Sequence, residues 1–200
     1  MADIGFFPIK WLERYGESKF ALPTHPCVHM LPQLEFSSGS LGHGLGVSTG
    51  IAYGMKLKGL DRRSFVLMSD GECNEGSVWE AVIFAASKKL DNLVALIDYN
   101  QIQAVGRTQE IMGNTSLAKK FKSFGWKTYT IDGNNIEEVV KALSQIDYST
   151  GQPNVIVCNT IAGAGVSFME DQLLWHYRVP SKEDYEMALK ELGVAPLIKS

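Results

Sequence analysis

Two carboxylates follow directly on an apolar segment in the stretch FVLMSDGECNEGSVWEAV, residues 65–82. Asp70 and Glu72 flank Gly71, and the apolar residues before them are typical of a buried strand. The mostly apolar residues after Asn74 are typical of a buried helix. One interpretation is a solvated strand-to-helix turn in which Asn74 caps the helix. The other is a site in which the carboxylates bind a ligand.

A second polar residue, Asn100, follows the next apolar segment, thirty positions after Asp70. A strand–helix–strand unit takes about thirty residues to return to the same edge of a parallel sheet. If the two strands are neighbours, one carboxylate, one amide oxygen and a backbone carbonyl can form an oxygen-only site there. Mg²⁺ suits such a site, because it takes few protein ligands and completes its octahedron with water and phosphate oxygens. The Gly71 turn and the N-terminus of the following helix offer N–H groups to those phosphates.

The elements that position these residues alternate along the chain from Gly44 onward, after a loop-rich segment. The patterns predict strands at 64–69, 93–97, 127–131 and 154–159. They predict helices at 45–58, 76–89, 116–124 and 136–145, and a last one that Ser181 caps and that ends near Gly193. Such alternation predicts an α/β fold with a mainly parallel sheet flanked by helices. Ligands bind beyond the carboxyl ends of the strands in such sheets, which is where Asp70 and Asn100 lie.

The composition excludes several classes of protein. The 200 residues are 45% hydrophobic and 20% charged, which is typical of a soluble globular chain. The net charge of −3 does not indicate a nucleic-acid-binding surface, and no apolar run reaches the roughly 18 residues of a membrane span. The N-terminus has no signal-peptide pattern, and the cysteines form no C-x-x-C pair. We therefore expect reduced, buried thiols and a cytoplasmic protein.

Several segments resemble one known family in the same order. SDGECNEGSVWEAV…LDNLVALIDYNQIQ closely resembles the thiamine diphosphate motif of the transketolase family, an acidic turn followed by a single Asn after the next strand. SSGSLGHGLGVSTGIAYGMKL resembles the glycine-rich cofactor loop of that family, and TIAGAGVSFMEDQLLWHYRVPSKEDY resembles the last part of its diphosphate-binding domain. The similarity covers most of residues 25–190 and implies a thiamine diphosphate-binding fold.

The resemblance implies which residues hold the metal and the diphosphate. Asp70 and Asn100 correspond to side-chain ligands of Mg²⁺ or Ca²⁺, and Ile102 corresponds to a ligand that offers its backbone carbonyl. Gly71 and Glu72 correspond to positions against the diphosphate.

The resemblance also assigns the loop Gly39-Ser40-Leu41 to the rings of the cofactor. The Gly39 carbonyl would hold the amino group of the aminopyrimidine, and Leu41 would pack on the rings. The family usually has Pro at the position of Ser40 and Gln at that of His43, and both changes leave the backbone contacts possible.

Two histidines correspond to family residues that meet the substrate. His25, in Thr-His-Pro, would contact the donor, and the alternative is a histidine on a loop surface. His176, in LLWHYRVP, would reach the diphosphate and the substrate, and the alternative is a histidine satisfied in the core. The resemblance implies that both orient hydroxyl and carbonyl groups and shuttle protons.

Glu75 and Glu80 correspond to family glutamates that link paired active sites through a buried hydrogen-bond network, and we expect them to act in catalysis in this way. They lie beside or on the predicted helix 76–89, which is apolar on most of its faces. A helix of that kind is buried on most faces, so a second subunit would cover it. The alternative is a helix cap at Asn74 and a solvated Glu80.

We expect a single domain over residues 1–200, with a loop-rich entry at 1–43, an α/β core at 44–160 and a C-terminal extension at 161–200. The family's early histidines and its pyrimidine-binding domain have no counterpart here. The resemblance therefore implies a C-terminal transketolase-like partner subunit, in a heterotetramer. The expected function is transfer of a two-carbon ketol unit from a ketose phosphate to an aldose. The alternatives are a 2-oxo acid decarboxylase or dehydrogenase component, and a non-catalytic scaffolding subunit.

Overall fold

The computed structural model describes residues 1–18, 20, 22–113 and 116–196. These residues form two compact units. The smaller unit comprises residues 1–40 and those from 182 onward, and the larger comprises residues 41–181. A single domain over residues 1–200, divided after 43 and 160, stays a prediction.

A parallel sheet forms the centre of the larger unit. Its strands are β1 (Ser64–Ser69), β2 (Leu93–Tyr99), β5 (Lys127–Asp132) and β6 (Asn154–Asn159). Their order is β1-β2-β6-β5, and each neighbouring pair is parallel. The hairpin of β3 (Ile102–Gln103) and β4 (Gly106–Arg107) is antiparallel and follows β2 along the chain. The predicted α/β fold with a mainly parallel sheet is therefore confirmed.

The helices predicted from the sequence form with small differences at their ends. The observed helices are α1 (Gly44–Leu57), α2 (Gly76–Ser87), α3 (Thr108–Met112), α4 (Leu117–Ser123), α5 (Ile136–Ser144) and α6 (Lys182–Leu192). α2 ends at Ser87, and Lys89 after it has a left-handed backbone with φ 53°. α6 ends just before Gly193, as predicted, and that glycine has a φ of 64°. The hairpin and α3 were not predicted.

Helices pack on both faces of the sheet. One buried cluster joins α1, α2 and α4 to β1, β2 and β6, and its largest member, Trp126, donates from Nε1 to the Val82 carbonyl at 3.0 Å. A second cluster on the opposite face joins α5 to β2 and β6. β2 lies between them and is buried on both faces, as its continuous apolar run predicted.

β1 is different, because it lies at an edge of the sheet. Val66 and Met68 face the first cluster, whereas Phe65 is 52% exposed and Leu67 is 73% exposed. The prediction of a strand buried throughout is therefore wrong for these two residues. The physical reason is that α5 packs against β5, at the other edge, and does not reach this face of β1.

The smaller unit contains a 3-10 helix, Ile9–Arg14, and α6. Trp11 stacks on Phe7 and meets Phe20 edge-on, with ring centroids 5.8 and 5.6 Å apart. In the described ranges of the chain, no helix is long and apolar enough to cross a membrane. The three cysteines are free, and the expectation of buried thiols holds for Cys73 and Cys158, whereas Cys27 is only partly buried.

Candidate functional site

The ends of β1 and β2 bring Asp70 and Asn100 to the same edge of the sheet. The two strands are parallel neighbours, and Ser69 at the end of β1 pairs with Asp98 of β2. The Asp70 N–H continues the ladder by donating to the Asp98 carbonyl at 3.1 Å. The predicted adjacency of these strand ends is therefore confirmed.

Asp70 is a buried carboxylate, with 2% of its surface exposed. Oδ1 accepts from the Gly71 N–H at 3.0 Å, and Oδ2 accepts from the Thr108 hydroxyl at 2.5 Å. Burial raises the pKa of Asp70, and the nearby Asp98 carboxylate adds to this effect. In the part of the chain that the structure describes, no Lys, Arg or His forms an ion pair with Asp70. The interpretation of a solvated Asp70 is therefore wrong.

Asn100 begins a tight turn that leads into the hairpin. Its Oδ1 accepts from the Ile102 N–H at 2.9 Å, while Gln101 between them has a left-handed φ of 63°. This local hydrogen bond fixes the orientation of the amide. The turn thus holds the Asn100 oxygen and the Ile102 backbone close together, which are two of the three predicted metal ligands.

A cavity of about 280 Å³ connects this turn to His176. Asn100, Ile102 and His176 all line it, together with Trp175 on the same 3-10 helix as His176. The Trp175 indole donates to the Phe168 carbonyl at 2.8 Å and so anchors that helix to the preceding loop. His176 is exposed, so the interpretation of a histidine satisfied in the core is wrong.

Glu72 contacts the loop that carries Leu41. Its Oε1 accepts from the Gly42 N–H at 3.1 Å, and the Ser77 hydroxyl donates to the Gly42 carbonyl at 2.9 Å. Gly42 has a φ of 81°, and a Cβ there would lie 2.6 Å from Glu75 Cβ and from Ser77 Oγ. Only glycine fits this position. The hydrogen bonds of the Gly42 N–H and carbonyl join the predicted cofactor loop to the segment after β1.

Asn74 does not cap α2. Residues Glu72–Asn74 form a 3-10 helix, so Glu75 occupies the N-cap position, without a side-chain hydrogen bond. Asn74 instead donates from Nδ2 to Gln103 Oε1 at 3.1 Å. The alternative interpretation, in which Asn74 caps the helix, is therefore wrong.

Two predicted residues meet within the smaller unit. A Cβ at Gly39, whose φ is 157°, would lie 3.0 Å from the ring of His25, so the ring packs directly on the glycine backbone. Gly39, Ser40 and His25 are all exposed in the described chain.

Glu75 and Glu80 are both exposed in the single chain. Neither lines the cavity that holds Asn100 and His176. On the same helix, Ile83 is 52% exposed and Phe84 is 40% exposed, so the described chain leaves part of the apolar surface of α2 uncovered.

The sequence did not point to Thr108 or Gln103, although both lie close to Asp70. Thr108 is the first residue of α3 and contacts Asp70 across 38 positions of sequence. A second cavity of about 710 Å³ borders the same turn, and Arg107 spans its edge by donating to both carboxylate oxygens of Asp171. No sequence pattern pointed to Thr108, because the short helix α3 that it begins was not predicted.

The donor set fits a hard divalent cation. It combines one carboxylate, one amide oxygen and a main-chain carbonyl, supplied by Asp70, Asn100 and Ile102. Among the described residues, no three His, Cys, Asp or Glu side chains cluster as a metal site. The Gly71 turn, where the sequence predicted the diphosphate, follows β1 at this same edge of the sheet.

Comparisons with known proteins identify the family of the chain. Residues 5–198 match the family described as transketolase, thiamine diphosphate binding domain. The chain is 43% identical over 192 residues to one subunit of the apulose-4-phosphate transketolase of Actinobacillus succinogenes, over 96% of this chain and 69% of that protein. It is 37% identical over 188 residues to the 6-deoxy-6-sulfo-D-fructose transketolase subunit SqwG of Clostridium sp. (strain MSTE9), over 94% of this chain and 68% of that protein.

The fold also matches a solved enzyme. The crystal structure of transketolase from Campylobacter jejuni superposes with a TM-score of 0.87 at 26% identity. The match covers 95% of this chain but 31% of the solved one, so this chain spans about a third of that enzyme. The sheet and its acidic edge thus define an α/β domain of the thiamine diphosphate-binding class. The chain belongs to the transketolase family, in which it corresponds to the thiamine diphosphate binding domain.

Proposed function

We propose that this chain is the diphosphate-binding subunit of a two-chain transketolase-type enzyme. The assembled enzyme transfers a two-carbon ketol unit from a ketose phosphate to an aldose. The observation that carries the proposal is the buried Asp70 carboxylate, without an ion-pair partner in the described chain, beside the Asn100 turn. Two relatives that match nearly all of this chain are named as transketolase subunits, which supports a two-chain enzyme.

In this proposal, Asp70 and Asn100 bind Mg²⁺ (or Ca²⁺) through their side chains, and Ile102 binds it through its carbonyl. Gly71 and Glu72 lie at the diphosphate end. Bound thiamine diphosphate supplies the chemistry that breaks and forms the carbon–carbon bond, while the protein binds and orients it. Glu72 acts mainly through the loop, because its carboxylate holds the Gly42 N–H.

The residues around the substrate have separate roles. Gly39, Ser40 and Leu41 face the rings of the cofactor. His176 orients hydroxyl and carbonyl groups and shuttles protons, from its position on the cavity that Asn100 also lines. His25 does the same at the donor, held by its packing on Gly39.

The partner carries the pyrimidine-binding domain and covers α2. The exposed Ile83 and Phe84 support this arrangement, because a protein in water rarely leaves such a surface open. Glu75 and Glu80 then become buried at the contact and link two active sites of a heterotetramer. We propose a ketose with an anionic group as the substrate, since one relative is named for apulose 4-phosphate and another for a sulfonated fructose.

Calorimetric titration with thiamine diphosphate tests the proposal directly. The chain is titrated in MgCl₂ and in EDTA, alone and with the subunit that co-purifies with it. We expect binding that requires Mg²⁺ and that strengthens with the partner, together with ketol transfer by the pair. Transfer of an acetyl-type group would indicate another thiamine diphosphate enzyme. A lack of binding in every condition would indicate a scaffolding subunit.

A further inference from the structure

A chain of hydrogen bonds runs through four side chains and ends on Asp70. Asn74 Nδ2 donates to Gln103 Oε1 at 3.1 Å, and Gln103 Nε2 donates to Thr108 Oγ1 at 3.0 Å. The Thr108 hydroxyl then donates to Asp70 Oδ2 at 2.5 Å. We call these four residues the Asp70 chain.

The direction of every bond in the Asp70 chain follows from its last member. An ionised carboxylate can only accept, so the Thr108 hydroxyl must donate its one proton to Asp70. Thr108 can then only accept from Gln103, which must present its NH₂ group to the hydroxyl. The Gln103 oxygen is left to accept from Asn74. Gln103 thus fixes the direction in which the Thr108 hydroxyl donates, and that hydroxyl is directed at Asp70.

Thr108 also helps to fix Asn100, the second proposed metal ligand. The Thr108 backbone N–H donates to the Gln101 carbonyl at 2.9 Å, and Gln101 is the left-handed residue of the Asn100 turn. The hydroxyl of Thr108 therefore holds Asp70, while its backbone holds the turn that orients Asn100. Few positions in a fold can set two ligands from different strands at once.

We propose that Thr108, oriented by Gln103, is a positioning residue that holds the Asp70 carboxylate in place for a divalent cation. The proposal rests on the proposed function, because it requires a cation at Asp70. Oδ1 is held by the Gly71 N–H and Oδ2 by Thr108, so the carboxylate cannot rotate freely. Each oxygen keeps a further lone pair for the metal. Residues that orient a metal ligand in this way commonly change metal affinity by about 10- to 100-fold when they are replaced.

The test measures metal affinity rather than turnover. Mn²⁺ is the probe, and its binding to the chain assembled with the co-purified partner is followed by electron paramagnetic resonance at saturating thiamine diphosphate. Thr108→Val keeps the shape of the side chain and removes the hydroxyl, and it should weaken Mn²⁺ binding about 10- to 100-fold. Thr108→Ser keeps the hydroxyl and should restore most of the affinity. Thr130→Val, at an exposed position on the edge strand β5, is the matched control and should bind like the wild type.

Gln103→Glu tests the same link without changing Thr108. The new carboxylate accepts the Thr108 proton in competition with Asp70, so Mn²⁺ binding should weaken even though the threonine is intact. This variant decides the question if Thr108→Val fails to fold in a circular dichroism melt. Wild-type binding together with unchanged affinity in Thr108→Val or in Gln103→Glu would overturn the positioning role alone. A wild-type protein that does not bind Mn²⁺ and thiamine diphosphate would overturn the proposed function itself.

Discussion

Asp70 combines burial, a raised pKa and hydrogen bonds from two donors. A buried carboxylate without a paired cation lowers the stability of the folded chain, because its charge has lost most of its contact with water. Proteins keep such groups where a ligand needs them, and binding of the ligand then returns the lost stability. Asp70 is therefore expected to lower the stability of the metal-free chain and to raise the affinity of the chain for a cation.

Asp70→Asn should raise the melting temperature of the metal-free chain and remove metal-dependent cofactor binding. The amide oxygen can still accept from the Gly71 N–H, and the amide NH₂ can donate to the Thr108 oxygen, so the variant loses the charge but keeps the local bonds. We expect Mg²⁺-dependent affinity for thiamine diphosphate to fall by more than about 100-fold. The reason is that loss of a direct metal ligand weakens metal binding more than loss of a residue that only orients a ligand. Thermal melts in EDTA and calorimetry measure the two effects. Asp61→Asn, at a side chain that is 97% exposed, is the control and should change neither.

At the level of elements, the segment after β1 and the loop before α1 form one rigid support. Glu72 and Ser77 hold the N–H and the carbonyl of Gly42, so the position of Leu41 depends on the segment that also carries Asp70. The metal end and the ring end of the proposed cofactor site are thus joined by hydrogen bonds to a single glycine.

Gly42→Ala should disturb this support. Its left-handed φ of 81° and the 2.6 Å approach of Ser77 Oγ leave no room for a methyl group. We expect the free energy of unfolding to fall by about 1–3 kcal/mol, as for other strained backbone positions, with a loss of cofactor affinity as well. Chemical denaturation and calorimetry measure the two quantities. Gly46→Ala, inside α1 where nothing lies within 4 Å, should instead stabilise the chain by up to about 1 kcal/mol. Equal effects of the two changes would contradict the role of Gly42.

How far the sequence predicts these elements depends on the range of the interactions involved. The parallel sheet, the long helices and the adjacency of Asp70 and Asn100 follow from periodicity and from the spacing of a strand–helix–strand unit. α3 has five residues and β3 and β4 have two each, which is too short for a periodic signal. The contact of Thr108 with Asp70 depends on these short elements, so it could not be predicted.

Two interpretations of the sequence fail for similar physical reasons. Phe65 and Leu67 were predicted to be buried, but exposure depends on the place of β1 in the strand order, which composition does not encode. The alternative interpretation had Asn74 as the cap of α2, but Asn74 is the last residue of the 3-10 helix Glu72–Asn74, so Glu75 takes the N-cap position. In both cases a local pattern was overruled by the arrangement of neighbouring elements.

For the molecule as a whole, the apolar surface that the described chain leaves exposed is the most informative feature. It includes Phe65 and Leu67 on β1 and Ile83 and Phe84 on α2. Apolar surfaces of this kind mark contacts with other subunits in soluble proteins. They agree with a proposal in which this chain forms an active site only after assembly.

Ile83→Glu should therefore prevent assembly without unfolding the chain. The side chain is already 52% exposed, so a charge there costs little in the isolated chain but much in a dry contact. Size-exclusion chromatography with light scattering on the chain and its co-purified partner should show loss of the complex. Val140→Glu, 58% exposed on α5, is the matched control and should leave the complex intact. Loss of the complex in both variants, or in neither, would contradict the assignment of α2 as the contact.

The most direct measurement is a crystal structure of the chain, assembled with its partner, in thiamine diphosphate and MgCl₂. The account predicts one Mg²⁺ ion at about 2.0–2.1 Å from Asp70, Asn100 and the Ile102 carbonyl, with diphosphate oxygens completing its shell. A cofactor bound without a cation at these residues, or a cation bound elsewhere on the chain, would contradict it.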